Sequence, residues 1–217
     1  AQQSACAVEL VVQGKAQILM KGLVDTSILL KAVLNEKALR TGRTMSVATL
    51  LEVEHYPKLL LMTDPGMLIA PDLKQKKEIV INALSIARAL EIKLPKVAVI
   101  CAKEKVDPKM QATLDAQALV EMNQAGELQD CLVGGPFALD NAVSLEAARH
   151  KGIEHPVAGD ADIFLVPDLV SGNIFYKSLV FLAGAKSAGI VVGAKVPIVL
   201  TSRADSEETK LNSISIA

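Results

Sequence analysis

Apolar residues along the chain follow two rhythms. Over residues 2–13 and 73–90 they recur at helical spacing: Val8, Leu10, Val11 and Val12 in the first segment, Ile79, Leu84, Ile86, Ala87 and Leu90 in the second. Elsewhere they stand in short unbroken runs, as in AQILMKG, KVAVICA, DCLVGG, ADIFLVPD, GIVVG and PIVLT, which predict strands buried on both faces. Helices are predicted from about Thr26 to Leu34 with Asp25 as N-cap, and over 111–123, 144–150 and 173–182. TMSVATLLEV and PKLLLMTD, separated by EHYP, predict a hairpin. Pro65, Gly66 and Pro71 make TDPGMLIAPD a loop. Strands alternating with helices predict a doubly wound α/β architecture.

Composition narrows the partners. A hydrophobic content of 51% in 217 residues supplies a packed core, and a formal net charge of −1 gives no basis for a nucleic-acid surface or an anionic membrane. Only 3% of residues are aromatic and none is Trp, which argues against base stacking. The longest apolar run, near 189–200, is interrupted by Gly193, Lys195 and Pro197, so no bilayer-spanning segment is expected. Cys6, Cys101 and Cys131 show no metal-ligand spacing and read as half-buried small hydrophobes in a reducing cytoplasm. His55, His150 and His155 are scattered and read as surface or loop residues. No metal is expected. The chain opens without Met inside a predicted helix, which reads as a missing beginning.

Three polar clusters follow predicted strands: MKGLVDT, with Lys21 and Thr26; PDLVSGNIFYK, with Asp168, Gly172, Asn173 and Lys177; and TSRADSEETK, with Ser202, Arg203 and Asp205. In open α/β sheets such loops converge on a ligand crevice. Gly172 and Asn173 read either as the opening of a helix whose N–H groups receive an oxyanion, or as plain capping. Lys177, one turn on, would reach a phosphate or solvent. Asp205 and Glu208 have the spacing of a capping box, which leaves Arg203 unexplained. A guanidinium at a strand end matches phosphate or carboxylate oxygens, and Ser202 adds a donor; surface pairing of Arg203 with Asp205 or Glu207 is the alternative. AGAKSAGIVVGAK matches neither a dinucleotide fingerprint nor a phosphate loop, so Gly184 and Gly189 read as helix-end and connection glycines.

These segments, with ILMKGLVDTSILLKAVL, TDPGMLIAPDL, GPFALDNAVS and the long block HKGIEHPVAGDADIFLVPDLVSGNIFYKSLVFLAGAKSAGIVVGAK, resemble the phosphate acetyltransferase and butyryltransferase family, the butyryl branch most closely. The resemblance implies reversible transfer of a butyryl or similar acyl group between coenzyme A and phosphate, in a homodimer or larger homo-oligomer. It implies no permanently bound cofactor, coenzyme A being a substrate beside phosphate and acyl phosphate. It also implies two α/β domains like those of isocitrate and isopropylmalate dehydrogenases, residues 1–36 with 194–217 forming an incomplete first domain and 37–193 the second, the site lying in the cleft between them. By the same resemblance Ser202 and Arg203 bind the anion and stabilise the transition state, while Asp168 and Asn173 match cleft elements. Two positions depart from the acetyl-type pattern: Thr209 stands where an aspartate base is expected and Ile28 where an arginine is. Asp205 and Glu208 are then the local candidates for the base. A phosphate acetyltransferase, a non-catalytic binder of coenzyme A or acyl phosphate, and a dehydrogenase of related fold are the alternatives, the last without its nicotinamide fingerprint.

Overall fold

The computed structural model describes residues 2–202 and 204–217. In chain order the elements are α1 (Gln2–Val12), β1 (Leu19–Met20), α2 (Thr26–Asn35), β2 (Ser46–Glu52), β3 (Leu60–Thr63), α3 (Leu73–Ala89), β4 (Lys96–Ile100), α4 (Gln111–Gln124), β5 (Leu132–Phe137), α5 (Leu139–Val143), α6 (Leu145–His150), β6 (Ile163–Leu165), α7 (Leu169–Lys177), β7 (Lys186–Val192), β8 (Ile198–Val199) and α8 (Glu207–Ser215). A 3₁₀ turn, Lys37–Leu39, follows α2, and a π-helical turn, Ser178–Leu182, prolongs α7.

The strands join into one eight-stranded sheet ordered β1-β8-β7-β2-β3-β6-β4-β5. It is mixed, and the hairpin predicted from TMSVATLLEV and PKLLLMTD is present as the antiparallel pair β2 and β3. β3, β6, β4 and β5 pair in parallel, as do β1 and β8, whereas β2 runs antiparallel to both β3 and β7. Strand direction is invisible in unbroken apolar runs, but connection length encodes it. The links 53–59 and 193–197 are too short for the crossover that a parallel pair requires. The sheet also continues across the boundary expected at 193/194, where β7 meets β8 through the single pair Val191 and Ile198.

Helices cover both faces, which is why the strands read as unbroken apolar runs. On one face Ile79, Val80 and Ala83 of α3 and Leu119 of α4 pack against Val97, Val99, Ile163 and Leu165. On the other, Phe164 joins Leu51, Met62 and Val166, and its ring stacks on Phe175 at 6.2 Å. Successive residues of β6 thus enter opposite cores. At the sheet edge Val8 and Val11 of α1 and Leu29 and Val33 of α2 pack against Leu19, Val191 and Ile198.

Three local expectations need correction. α7 begins at Leu169, because Asp168 accepts the Ser171 N–H at 2.9 Å, so Gly172 and Asn173 lie inside the helix and neither opens nor caps it. α8 is capped by Ser206, whose hydroxyl accepts the Thr209 N–H at 3.1 Å, and no Asp205–Glu208 capping box forms. Gly189 lies in the middle of β7, paired with Thr49, instead of ending a helix; Gly184, at φ +65, does follow the end of the helix, just beyond its C-cap Ala183. The short helix α5 has no counterpart in the sequence reading.

Candidate active site

A cavity of about 480 Å³ opens where the β2/β7 face meets the strand-end segments. Val47 and Thr49 of β2 and Gly189 and Val191 of β7 form its floor. Lys21, Val24, Asp25 and Thr26 wall one side, Pro65 and Gly66 a second, Asn173 and Tyr176 of α7 a third, and Leu200, Thr201, Ser202, Asp205, Thr209 and Ser213 close it.

Each wall has a local cause. Asp64, 2% exposed, gathers the Gly66 and Met67 N–H groups on Oδ1, both at 2.9 Å, and the Leu68 N–H on Oδ2 at 3.1 Å, fixing the Pro65–Gly66 turn. Burial pushes its pKa up despite these donors, which pull the other way. α7 is tied to that turn by the Asn173 amide, which donates to the Pro65 carbonyl at 3.2 Å. Gly172 permits the approach: a Cβ there would stand 2.6 Å from Val166 Cγ2 and 3.0 Å from Pro65 Cα. Because β8 is only two residues long, the β7 edge is left for α8 to cover, and the Ser213 hydroxyl accepts the Gly189 N–H at 2.9 Å.

Polar chemistry gathers at the last wall. Asp205 Oδ2 accepts the Ser202 N–H at 2.6 Å, and the Ser202 hydroxyl accepts the Ala204 N–H at 3.3 Å. Nearby, the Tyr176 phenol shares a 3.3 Å hydrogen bond with Ser187. Burial pushes its pKa above the ordinary value and the Asp205 charge adds to that, while the bond to Ser187 pulls it down; the hydroxyl therefore stays protonated at neutral pH.

A family profile described as phosphate acetyl/butaryl transferase matches residues 1–217. The chain belongs to this family. A phosphate acetyltransferase from Thermotoga maritima is 51% identical over 212 residues, covering 97% of this chain and 72% of the relative. A phosphate butyryltransferase from Clostridium acetobutylicum is 52% identical over 212 residues, covering 97% and 70%. The crystal structure of a branched-chain phosphotransacylase from Enterococcus faecalis V583 matches with a TM-score of 0.90 at 41% identity, covering 99% of this chain and 77% of that one.

Of the residues singled out from the sequence of this transferase-family chain, the cavity brings together Lys21, Thr26, Asn173, Ser202 and Asp205. Arg203 lies outside the described residues. Asp168, Gly172 and Lys177 do not line the cavity: Asp168 caps α7, Gly172 is buried against Val166, and Lys177 is exposed at the far end of that helix. Glu208 is also absent from the wall and stands 3.5 Å from Lys186, so of the two base candidates Asp205 alone lines the cavity, which Asp25 also lines. Thr209 does line the cavity, whereas Ile28 faces a separate groove between α1 and α2.

Sequence reasoning missed Thr49, Thr201, Tyr176 and Ser213 as wall residues. Tyr176, one turn beyond Asn173, and Thr201, the first residue of TSRADSEETK, carried a signal. None of the three cysteines lines the cavity; Cys6 is exposed, not half-buried, and burial pushes the Cys101 and Cys131 thiols up to about 11. His155 is half-buried, packed edge-on against Phe137 at 5.9 Å, with its pKa pushed down by burial. Among the described residues no group of three or more His, Cys, Asp or Glu side chains is placed to hold a metal.

Proposed function

We infer that the protein moves a butyryl or similar short or branched acyl group between coenzyme A and inorganic phosphate within this cavity. Family membership over the whole chain carries that reading. In the direction of acyl-CoA synthesis, coenzyme A and acyl phosphate form a ternary complex. The thiol gives its proton to Asp205, sulfur bonds to the acyl carbon, and the carbon–oxygen bond to phosphate breaks with the electron pair leaving on phosphate. A thiol has an ordinary pKa of about 8.5, so a carboxylate taking its proton during attack makes it competent at neutral pH. Ser202 and Arg203 hold the departing phosphate and the transient oxyanion, with Lys21 and Thr26 on the facing wall. Support comes from the short Ser202–Asp205 contact inside the cavity. The division into residues 1–36 with 194–217 and residues 37–193, the likeness to isocitrate-type dehydrogenases, a homodimeric or larger assembly and a cytoplasmic setting belong to the same proposal. No described helix is long and apolar enough to cross a membrane.

The test is release of free thiol from butyryl-CoA on adding phosphate, compared with acetyl-CoA. Arg203→Ala should slow release roughly 100-fold, the scale of losing one oxyanion donor. No phosphate-dependent release from either thioester overturns the reading. Preference for acetyl-CoA would move the protein to the acetyl branch, whose named relative is as similar as the butyryl one. Thr209 in the cavity wall, where acetyl-type members carry an aspartate, favours a second reading: a module that binds coenzyme A or acyl phosphate without turnover. Binding of coenzyme A with no thiol released would establish it.

A further inference from the structure

Two threonines in the cavity carry hydroxyls that the fold itself does not use. Thr49 is 4% exposed and Thr201 7%, both line the cavity, and neither hydroxyl has a hydrogen-bond partner among the described residues. Among the described residues, fully buried polar atoms without a partner occur at Ser4, Asn82 and Asn141; the Thr49 and Thr201 hydroxyls are not among them and line the cavity instead. On the neighbouring strand the Thr63 hydroxyl donates to the Val47 carbonyl at 2.8 Å, and across the cavity the Ser213 hydroxyl both accepts from Gly189 and donates to the Thr209 carbonyl at 2.7 Å.

What makes Thr49 reachable is its cross-strand partner. Gly189 pairs directly with it, and a Cβ at Gly189 would stand 3.4 Å from Thr49 Oγ1 with no other heavy atom inside 4 Å. The backbone does not demand a glycine there, since Gly189 has no positive φ. Its missing side chain therefore leaves open space directly over an unbonded hydroxyl. The protonated Tyr176 phenol, the Asn173 amide and Lys21 line the same cavity, together with the Asp25 and Asp205 side chains.

We infer that the Thr49 hydroxyl, uncovered by Gly189, donates a hydrogen bond to an oxygen of the reacting phosphoryl group, as inorganic phosphate or as acyl phosphate. This role rests on the proposed acyl transfer and adds to it a substrate contact on the strand floor, away from the Ser202–Arg203 segment. Inorganic phosphate is the smallest substrate, and the strand floor is open to it through the cavity.

The experiment titrates the full chain with inorganic phosphate, and separately with coenzyme A, by isothermal calorimetry. Wild type is compared with Thr49→Val, which keeps the shape and loses the hydroxyl, with Thr49→Ser, which keeps the hydroxyl, and with Gly189→Ala, which covers it. Phosphate affinity should fall about tenfold or more in Thr49→Val and Gly189→Ala and stay near wild type in Thr49→Ser, with coenzyme A affinity unchanged. Equal phosphate binding by wild type and Thr49→Val overturns the inference, and so does a loss confined to coenzyme A, which would assign the hydroxyl to that substrate's own phosphates. The expected phosphate pattern in a protein that releases no thiol would uphold the contact while overturning the acyl-transfer reading.

Discussion

Two segments leave the sheet in closely similar ways and reach different ends. Beyond β6 the chain enters α7 through Pro167 and Asp168; beyond β8 it enters α8 through Ser202, Asp205 and Ser206. In the first, the strand-end carboxylate is itself the helix cap, its oxygen occupied by the Ser171 N–H. In the second, Ser206 caps the helix, and Asp205, one residue earlier, accepts the Ser202 N–H and lines the cavity. Both carboxylates accept a backbone N–H, and a shift of one residue in where the helix starts decides whether such a carboxylate caps the helix or lines the cavity. The residues after the two starts also part ways. Gly172 lets α7 close on the Pro65 turn, to which Asn173 is bonded while also lining the cavity, whereas Thr209 and Ser213 line the cavity from α8.

That contrast breaks most visibly at Gly172. Gly172→Ala forces a methyl against Val166 and Pro65, and its expected cost in chemical denaturation is roughly 1–3 kcal/mol. Wild-type stability in that variant would mean that α7 does not bear on the Pro65 turn. A smaller effect is expected at the cap. Asp168→Ala should lose about 1 kcal/mol of stability and leave thiol release unchanged. A large fall in turnover with stability intact would move Asp168 into the site and erase the difference between the two segments.

The smallest effect concerns the turn that both segments face. The folded pKa of Asp64 is raised above its ordinary value by burial. Below the ordinary value the group is neutral whether the chain is folded or not. As pH rises, the unfolded chain ionises first, so stability falls until the folded group ionises too, and the difference is then constant. Asp64→Asn should remove that fall from a plot of denaturation midpoint against acidic pH. An unchanged slope would show that the carboxyl is not held in the buried state described.

Much of the fold was legible because its signals are local. The helical spacing of Ile79, Leu84 and Ile86 and the unbroken run around Val97–Val99 lie in α3 and β4, where the pattern placed them. Strand direction was legible at the EHYP hairpin of β2 and β3 but not elsewhere, since an apolar strand looks the same parallel or antiparallel and only the short 193–197 link encodes the reversal between β7 and β8. At the site, strand-end polarity picked out Lys21, Thr26, Asn173, Ser202 and Asp205. It could not separate them from Asp168, Gly172 and Lys177, because capping and ligand binding select the same letters. Thr49 and Gly189 were out of reach for a different reason: they meet only across β2 and β7, and nothing in either strand alone marks a hydroxyl opposite a missing side chain.

The account's central claim is that the Ser202–Asp205 segment, and not its counterpart at Asp168, carries the chemistry. The most direct test is the rate of phosphate-dependent thiol release from butyryl-CoA by Asp205→Ala beside wild type, with folding verified by denaturation. Loss of a general base predicts a fall of roughly 100-fold or more. A rate within about twofold of wild type would lie far outside that range and would contradict the claim.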